Sequence, residues 1–521
     1  MSGPELGLAI WAAVDLGLKW GNKLIVLCHS IKNAPNELAE SVIRVETCWV
    51  RISHQLEHTK QVVAAMEAAH QELHLHTLDI VLGKLQAIYQ ELSTFSRLLR
   101  PIDSQGEDKK DASRLSMTMN KTLYAFRKKR IDDSIGELEK WQSTFDISWL
   151  LILKTAEQAV HTGTQVDTTG QLSSETQGKL TGNPLFMADT GRAVFLRPER
   201  VNTSTACKIA YCESQFLTRS SESFVLDSLV CSQASKTSRS LVMKDMKSLA
   251  QKLHAYEGPG FGLLKCKGVL KQESREQGTN QLNFTFVFQI PRYLQTPRSL
   301  RELLLSHERP HSLSDVIRIG RELAKAVSYV HILDFVHKNI RPESILLLRH
   351  TGTEDLVAYL VGFQKFRRDG GLTSRIGASG WQQTLYCHPR RYGTNPEDAY
   401  VMQHDIYSLG VCLLEIGLWE SFVIYTETGE TIASNLIASY LPSNTTLGPE
   451  TLKQGLVTLA RTRLPGRTGN NYAEIVETCL TCLDENNIDF GDESEFLDAD
   501  GILVGIRYIE KVITKLDLLN I

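Results

Sequence analysis

The sequence predicts two folded parts in one chain, an all-α helical bundle followed by a two-lobed α+β domain. Residues 1–160 carry long apolar patterns at helical spacing. Residues 161–182 are rich in Thr, Ser, Gly and Gln and offer too little apolar surface to fold, so they predict a flexible linker. In residues 183–521 short β-like runs come first and long helical patterns follow, an order typical of one α+β domain.

The composition is that of a globular protein with more than one domain. The chain has 521 residues, of which 42% are apolar and 22% charged, and domains of about 100–200 residues predict two to four units. A net charge of −3 gives no general attraction to nucleic acid, so no nucleic-acid partner is expected. Ten scattered cysteines are typical of a reducing compartment. The Cys479–Cys482 pair has no second pair at zinc spacing, and we predict no metal or cofactor.

The first helical run is strongly apolar but carries a polar stripe. It lacks an early basic region and a small-residue cleavage site, which predicts that it is not a cleaved signal. Asp15, Lys19 and Lys23 interrupt the run before it reaches the roughly 18 apolar residues of a membrane-spanning helix. Their spacing predicts an amphipathic helix. A cytoplasmic protein with possible recruitment to a membrane is the expectation.

Further helices follow in the first 160 residues. Steps of four and three predict one buried helix face, formed by Leu38, Val42, Val45, Trp49, Ile52 and Leu56. Another helix is predicted to end at Pro101. A later one carries a basic cluster made of Arg127, Lys128, Lys129 and Arg130. The simplest arrangement is a bundle of four or five helices.

Four motifs in the second part occur in a fixed order between residues 331 and 417. The segment HKNIRPES runs from His337 to Ser344, and GFQ stands at 362–364. HPR follows at 388–390, and DIYSLGVCLLEIG begins at Asp405. In this order the motifs resemble the H-R-D-L-K-P-E-N, D-F-G and A-P-E segments and the following buried helix of the protein kinase family. The resemblance covers residues 183–521, with 240–257 similar to helix αC and 284–294 similar to the fifth strand and hinge.

The residues that match the family are those of its framework. The resemblance implies that they pack and brace the catalytic loop; they are His337, Pro342, Phe363, Asp405 and Gly410. At 390 an arginine stands in place of the A-P-E glutamate, and Asp484 and Glu485 stand where the family has its partner arginine. The sequence leaves open whether this is an ion pair of exchanged polarity or an exposed Arg390.

The residues that differ are those that carry the chemistry. A kinase needs a carboxylate base and two groups that hold magnesium. Asn339 stands in place of the base, and an amide does not accept a proton near neutral pH. Ser344 and Gly362 stand in place of the two metal ligands. The sequence therefore predicts a pseudokinase rather than an enzyme. Residues 183–230 contain no G-x-G-x-x-G, the motif that covers the phosphates of ATP in kinases, so whether the chain binds a nucleotide stays unknown.

The opening sequence MSGPELGLAIWAAVDLGLK, the bundle and the polar linker resemble the fungal HeLo-like (prion-inhibition and propagation) family joined to a kinase-like domain. The resemblance implies action on membranes in regulated cell death or incompatibility. Two features suit that role, the amphipathic first helix and the basic cluster 127–130, which anionic lipid would attract. Each has a plain alternative, because the helix would also serve as bundle core and the cluster as a solvated face.

The leading hypothesis is a signalling protein in which a pseudokinase regulates a helical bundle that engages anionic membrane or self-associates. Its partners would be other proteins and further copies of the bundle. One alternative is a docking scaffold with no membrane activity. Another is an atypical active protein kinase.

Overall fold

The computed structural model divides the chain into two compact units, residues 1–165 and 166–521. We call the first the helical unit. The predicted linker 161–182 lies outside the described residues. The structure describes residues 3–31, 36–63, 68–98, 127–151, 153, 194–197, 203–219, 222–231, 236–255, 261–276, 279–306, 312–333, 335–351, 355–368, 381–392, 400–441, 449–490 and 502–519.

The described part of the helical unit is four long helices. They are α1 (Gly3–Ile31), α2 (Asn36–Val62), α3 (Ala68–Leu98) and α4 (127–151). The predicted face of α2 is buried at Val42, Val45, Trp49, Ile52 and Leu56. Helices α1 and α2 pack so closely at Gly21 that a Cβ built on this glycine would lie 2.0 Å from the Trp49 ring.

Polar pairs between helices fix their directions. Arg44 of α2 binds Glu139 of α4 through two hydrogen bonds of 2.8 and 2.6 Å, and Gln55 binds Asp146 farther along both helices, so α2 and α4 run parallel. In contrast, α3 and α4 run antiparallel, with Lys84 bound to Glu137. This is the geometry of a four-helix bundle with alternating directions.

The second unit begins with a six-stranded sheet whose order is β1-β5-β6-β4-β3-β2. All pairings are antiparallel except β1 with β5. Helix α5 (Lys236–Ala255) packs against β5. The strands are β1 (Phe195–Leu196), β2 (Cys207–Lys208), β3 (Gln215–Arg219), β4 (Glu222–Cys231), β5 (Lys265–Glu276) and β6 (Thr279–Ile290).

A larger, mainly helical lobe follows. Its helices are α6 (Leu300–Leu305), α7 (Leu313–Ile332), α8 (Trp381–Leu385), α9 (Met402–Leu418), α10 (Pro449–Arg463), α11 (Pro465–Thr468), α12 (Asn470–Leu480), α13 (Ile502–Tyr508) and α14 (Thr514–Leu518). Ser312 caps α7 by accepting a hydrogen bond from the Asp315 N–H. Helix α9 is the centre of this lobe, and a Cβ on its Gly410 would lie 2.8 Å from Cys479 Cβ of α12.

Short strands also occur where long helical patterns were predicted. Strands β7 (Arg298–Ser299), β9 (Ile345–Arg349) and β10 (Leu356–Leu360) form one sheet, and β8 (Phe335–Val336) pairs with β11 (Arg367–Arg368). A hairpin joins β12 (Val423–Tyr425) to β13 (Thr431–Ala433). Apolar runs of five residues do not distinguish a buried strand from part of a helix. The α+β architecture agrees with the predicted two-lobed, kinase-like fold.

Candidate functional site

The segment His337–Ser344 follows β8 and faces the smaller lobe. His337 is fully buried, and its ring lies edge-on to the Phe363 ring with 4.8 Å between centroids. Burial lowers the pKa of His337 to about 4, so the imidazole is neutral at physiological pH. Pro342 starts the single helical turn that ends at Ser344. The predicted framework residues His337 and Phe363 thus lie in contact.

Asp405 of α9 fixes the start of this segment. Its carboxylate accepts hydrogen bonds from the backbone N–H groups of His337 and Lys338, at 2.7 and 2.9 Å. The Tyr400 hydroxyl and the His331 ring bind the same carboxylate, at 2.7 and 3.1 Å. Burial raises the pKa of Asp405, but its hydrogen bonds and charge interactions with His331 and His337 together outweigh burial and place the pKa below its usual value. Lys338 is held with φ at +63°, a left-handed conformation unusual for a side-chain-bearing residue.

The three positions where the sequence departs from the kinase pattern lie together. The Asn339 amide donates hydrogen bonds to the Gly362 carbonyl at 3.1 Å and to Gln364 Oε1 at 3.2 Å. The Ser344 hydroxyl donates to the Asn339 carbonyl at 2.6 Å. Gly362 has φ of +87°, and a Cβ there would lie 2.8 Å from Ser344 Cβ. Glycine is thus required at 362 by both conformation and space.

A fourth residue of this cluster is Asp227, which the sequence motifs did not predict. It lies on β4, the third strand of the β2-β3-β4 meander, and is 1% exposed. One carboxylate oxygen accepts hydrogen bonds from the N–H groups of Gly362 and Phe363, at 2.9 and 2.6 Å. The other accepts from the Gln364 amide at 2.5 Å.

The sequence holds a signal for Asp227. The family carries V-A-I-K on this strand, with a lysine that binds phosphates, whereas this chain reads FVLD at 224–227. Burial raises the pKa of Asp227 to about 6, even though the backbone hydrogen bonds from Phe363 and Gly362 oppose the rise. On this strand the chain thus carries a buried acid that binds the GFQ segment, where the kinase pattern has a lysine.

This geometry limits the chemistry that the cleft can perform. Asn339 does not act as a proton acceptor near neutral pH. Over the described residues, no three His, Cys, Asp or Glu side chains come together in a way that would hold a metal ion. Phosphate transfer in this cleft would need a base and metal ligands other than the family's. Asp227 is a carboxylate that the fold places beside Gly362.

The lipid candidates lie at the start of α4. Arg127 and Lys128 are half-buried, while Lys129 and Arg130 are exposed. Arg130 forms an ion pair with Glu91 of α3. Part of the basic cluster is thus used within the bundle. In the part of the chain that the structure describes, no helix is both long and apolar enough to cross a bilayer.

The acidic residues after α12 are also placed. Asp484 binds the ammonium group of Lys453, a residue of α10 whose side chain is 3% exposed. The structure thus assigns Asp484 a cation on α10. An ion pair of Arg390 with Asp484 or Glu485 stays a prediction.

No protein-family model matches the chain. It is, however, similar to protein kinases of Dictyostelium discoideum. A probable LIM domain-containing serine/threonine-protein kinase is 26% identical over 146 residues, which are 27% of this chain and 20% of that protein. A second protein so named is 26% identical over 146 residues, or 14% of its length. A probable serine/threonine-protein kinase is 27% identical over 158 residues, or 30% of this chain and 8% of that protein.

These comparisons establish weak kinase-like similarity over about a quarter of the chain, which spans a fifth or less of each relative's length. They also correct one prediction. The prediction that the chain is not an enzyme is wrong on this comparison, because the relatives are named as probable kinases. Substitutions at motif positions do not by themselves exclude phosphate transfer. We refer to residues 166–521 as the kinase-like unit.

Proposed function

We propose that the chain is a signalling protein in which the kinase-like unit controls the helical unit, and that the helical unit acts on anionic membrane surfaces. The observation that carries this proposal is the exposed face of α1. Its large apolar residues include Leu8 and Val26, which are 72% and 71% exposed, and Trp11 and Leu16, which are 45% and 43% exposed.

These side chains form one face of the helix together with charged residues. At 100° per residue, Leu8, Lys19 and Val26 project in nearly the same direction, and Trp11 and Lys23 flank them. Asp15, Lys19 and Lys23 lie between these apolar side chains, so the face is a mixed apolar and charged surface rather than one apolar patch. Large apolar side chains exposed among charges along one helix are typical of a helix that lies in the lipid headgroup region. Lysine beside tryptophan and leucine suits the boundary between anionic headgroups and acyl chains. We therefore favour a lipid surface over a protein groove as the target.

The kinase-like unit suits a controlling role because its cleft links distant parts of the chain. Asp227 of the smaller lobe binds Gly362 and Phe363, and Asn339 binds Gly362 from the larger lobe. A change in the relative position of the two lobes would alter this one hydrogen-bonded cluster. As the outcome of signalling we propose regulated cell death or incompatibility, which the resemblance of the helical unit implies.

Vesicles with trapped dye test the proposal. The full chain and residues 1–165 are each added to two kinds of vesicle. One kind contains the anionic lipid phosphatidylserine, and the other contains neutral lipid alone. We expect residues 1–165 to release dye from anionic vesicles and the full chain to release less. The paired change Leu8→Ser and Val26→Ser should abolish release. Leu73→Ser is the matched control, since Leu73 is a 59% exposed leucine of α3.

The other outcomes are equally informative. Equal release by the full chain and by residues 1–165 contradicts control by the kinase-like unit. Absence of vesicle binding, together with self-association in light scattering that Leu8→Ser and Val26→Ser remove, identifies α1 as a self-association surface instead. Absence of both leaves the docking scaffold as the better description.

A second candidate function is protein phosphotransfer, which the names of the relatives favour. Asp227 is the acid that would serve such chemistry in this cleft. Labelled ATP with magnesium or manganese, incubated with the full chain and a generic protein substrate, provides the assay. Transfer that Asp227→Asn abolishes and Glu222→Gln preserves would establish this function, whereas no transfer with either metal argues against it.

A further inference from the structure

The loop between β2 and β3, residues 209–214, reads IAYCES and contains no glycine. In protein kinases the loop at this place is rich in glycine and covers the phosphates of ATP. Here Tyr211 has φ of +53°. A non-glycine residue in this conformation persists only where surrounding contacts hold it. Within the loop, the Cys212 N–H donates a turn hydrogen bond to the Ile209 carbonyl at 3.1 Å. The other contacts come from the opposite lobe.

The larger lobe contacts this loop at three places. The Ser299 hydroxyl, at the start of α6, donates a 2.5 Å hydrogen bond to the Ala210 carbonyl. The Tyr211 ring lies against the Tyr425 ring of β12, with 4.6 Å between centroids. Glu213 binds Arg341 of the catalytic-loop segment at 2.5 Å. The three contacts come from three separate elements of the lobe.

The partners in the larger lobe are themselves connected. The Tyr425 hydroxyl donates a hydrogen bond to Glu343 Oε1 at 3.3 Å, and Glu343 is bound to Arg301 of α6 at 2.9 Å. Inside the smaller lobe, Ser214 donates to the Asp227 carboxylate at 3.4 Å. Contacts of the loop are thereby linked to both the catalytic-loop segment and the GFQ segment.

We propose that residues 209–214 form a latch that holds the two lobes closed over the cleft, with Tyr211 and Glu213 as its two side-chain contacts. The loop closes the cleft with the chain's own side chains, so a ligand reaches the floor of the cleft only after the latch opens. Glu213 is 58% exposed and Arg341 15% exposed, so the ion pair is accessible enough to break without unfolding either lobe. The latch proposal depends neither on membrane action by the helical unit nor on phosphotransfer by the kinase-like unit.

Hydrogen–deuterium exchange on the full chain tests the latch. The variants are Tyr211→Ala and Glu213→Gln, alone and together. Because a partly exposed ion pair shifts an opening equilibrium by up to about fivefold, Glu213→Gln should accelerate exchange roughly two- to fivefold. We expect faster exchange in two places at once, residues 209–214 and the facing residues 337–344, and a larger effect in the double variant.

Two matched controls separate the latch from general loosening. Tyr211→Phe keeps the ring contact and should exchange like the natural chain. Glu222→Gln removes a different glutamate of the same lobe, one that lies 3.8 Å from Arg292, and should also leave both segments unchanged. An unchanged melting temperature shows that the variants remain folded. Faster exchange confined to residues 209–214, or no change in the double variant, overturns the proposal.

Discussion

Replacing Arg301 by methionine should destabilise the larger lobe strongly. The Arg301 side chain is fully buried and binds Glu343 at 2.9 Å and Glu415 at 2.8 Å. It also donates hydrogen bonds to Ser421 and Tyr386. Glu415 is fully buried too and, among the residues that the structure describes, would keep the Phe422 N–H and the Tyr386 hydroxyl as partners. Removing one side of a buried ion pair costs about 3–5 kcal/mol.

Amide exchange of α9 measures this loss, because a buried central helix exchanges mainly through global opening of its unit. A loss of about 3–5 kcal/mol corresponds to exchange faster by roughly a hundredfold to several thousandfold. Arg461→Met is the control, since Arg461 pairs with Glu477 on the surface, where a pair contributes about 0–1 kcal/mol.

A second variant tests the physical cause. Changing Arg301 to Met and Glu415 to Leu together removes both buried charges and should recover part of the stability. The reasoning is wrong if Arg301→Met lowers the free energy of unfolding by less than about 1 kcal/mol. It is also wrong if the double variant loses more free energy of unfolding than the two single variants lose together.

Three further predictions concern pH and backbone shape. The pKa of Asp227 is raised to about 6 in the folded chain, so the folded state binds this proton more tightly than the unfolded state. The stability that this proton contributes is therefore lost as pH rises from about 4 to above 6. In urea unfolding measured over this pH range, Asp227→Asn should remove that loss. Burial lowers the pKa of His74 to about 4, so stability of the helical unit should fall as pH falls from about 6.5 to 4, and thermal melts of His74→Asn should lack that dependence. Gly362→Ala should cost about 1–3 kcal/mol in urea unfolding, and more than Gly429→Ala, because both glycines have positive φ but only Gly362 meets a neighbouring side chain.

Local patterns were enough to predict the helices of the first unit. Buried residues repeat along α2 at helical spacing, so Val45, Trp49 and Ile52 identify the core face without knowledge of the neighbours. What the sequence did not reveal is which helices lie side by side. That follows from pairs such as Arg44 with Glu139, which are separated by 95 residues.

The order of the four motifs likewise predicted the segment around His337 and its contact with α9. Asp405 and His337 keep the residue types of the family, and the backbone of one binds the side chain of the other. Whether the chain catalyses a reaction did not follow from residue types alone, and the comparison with kinases corrected that prediction.

The sequence alone determined the division into a helical part and an α+β part, the helical faces and the place of the segment His337–Ser344, because these depend on periodicity and short motifs within one segment. Only the tertiary structure decided which residues meet between the two lobes. Asp227 meets Gly362 across 135 residues of chain, and Arg341 meets Glu213 across 128. Both contacts join strands or loops of the smaller lobe to the larger one. Their partners are set by how the two lobes pack against each other, which no local pattern of residues records.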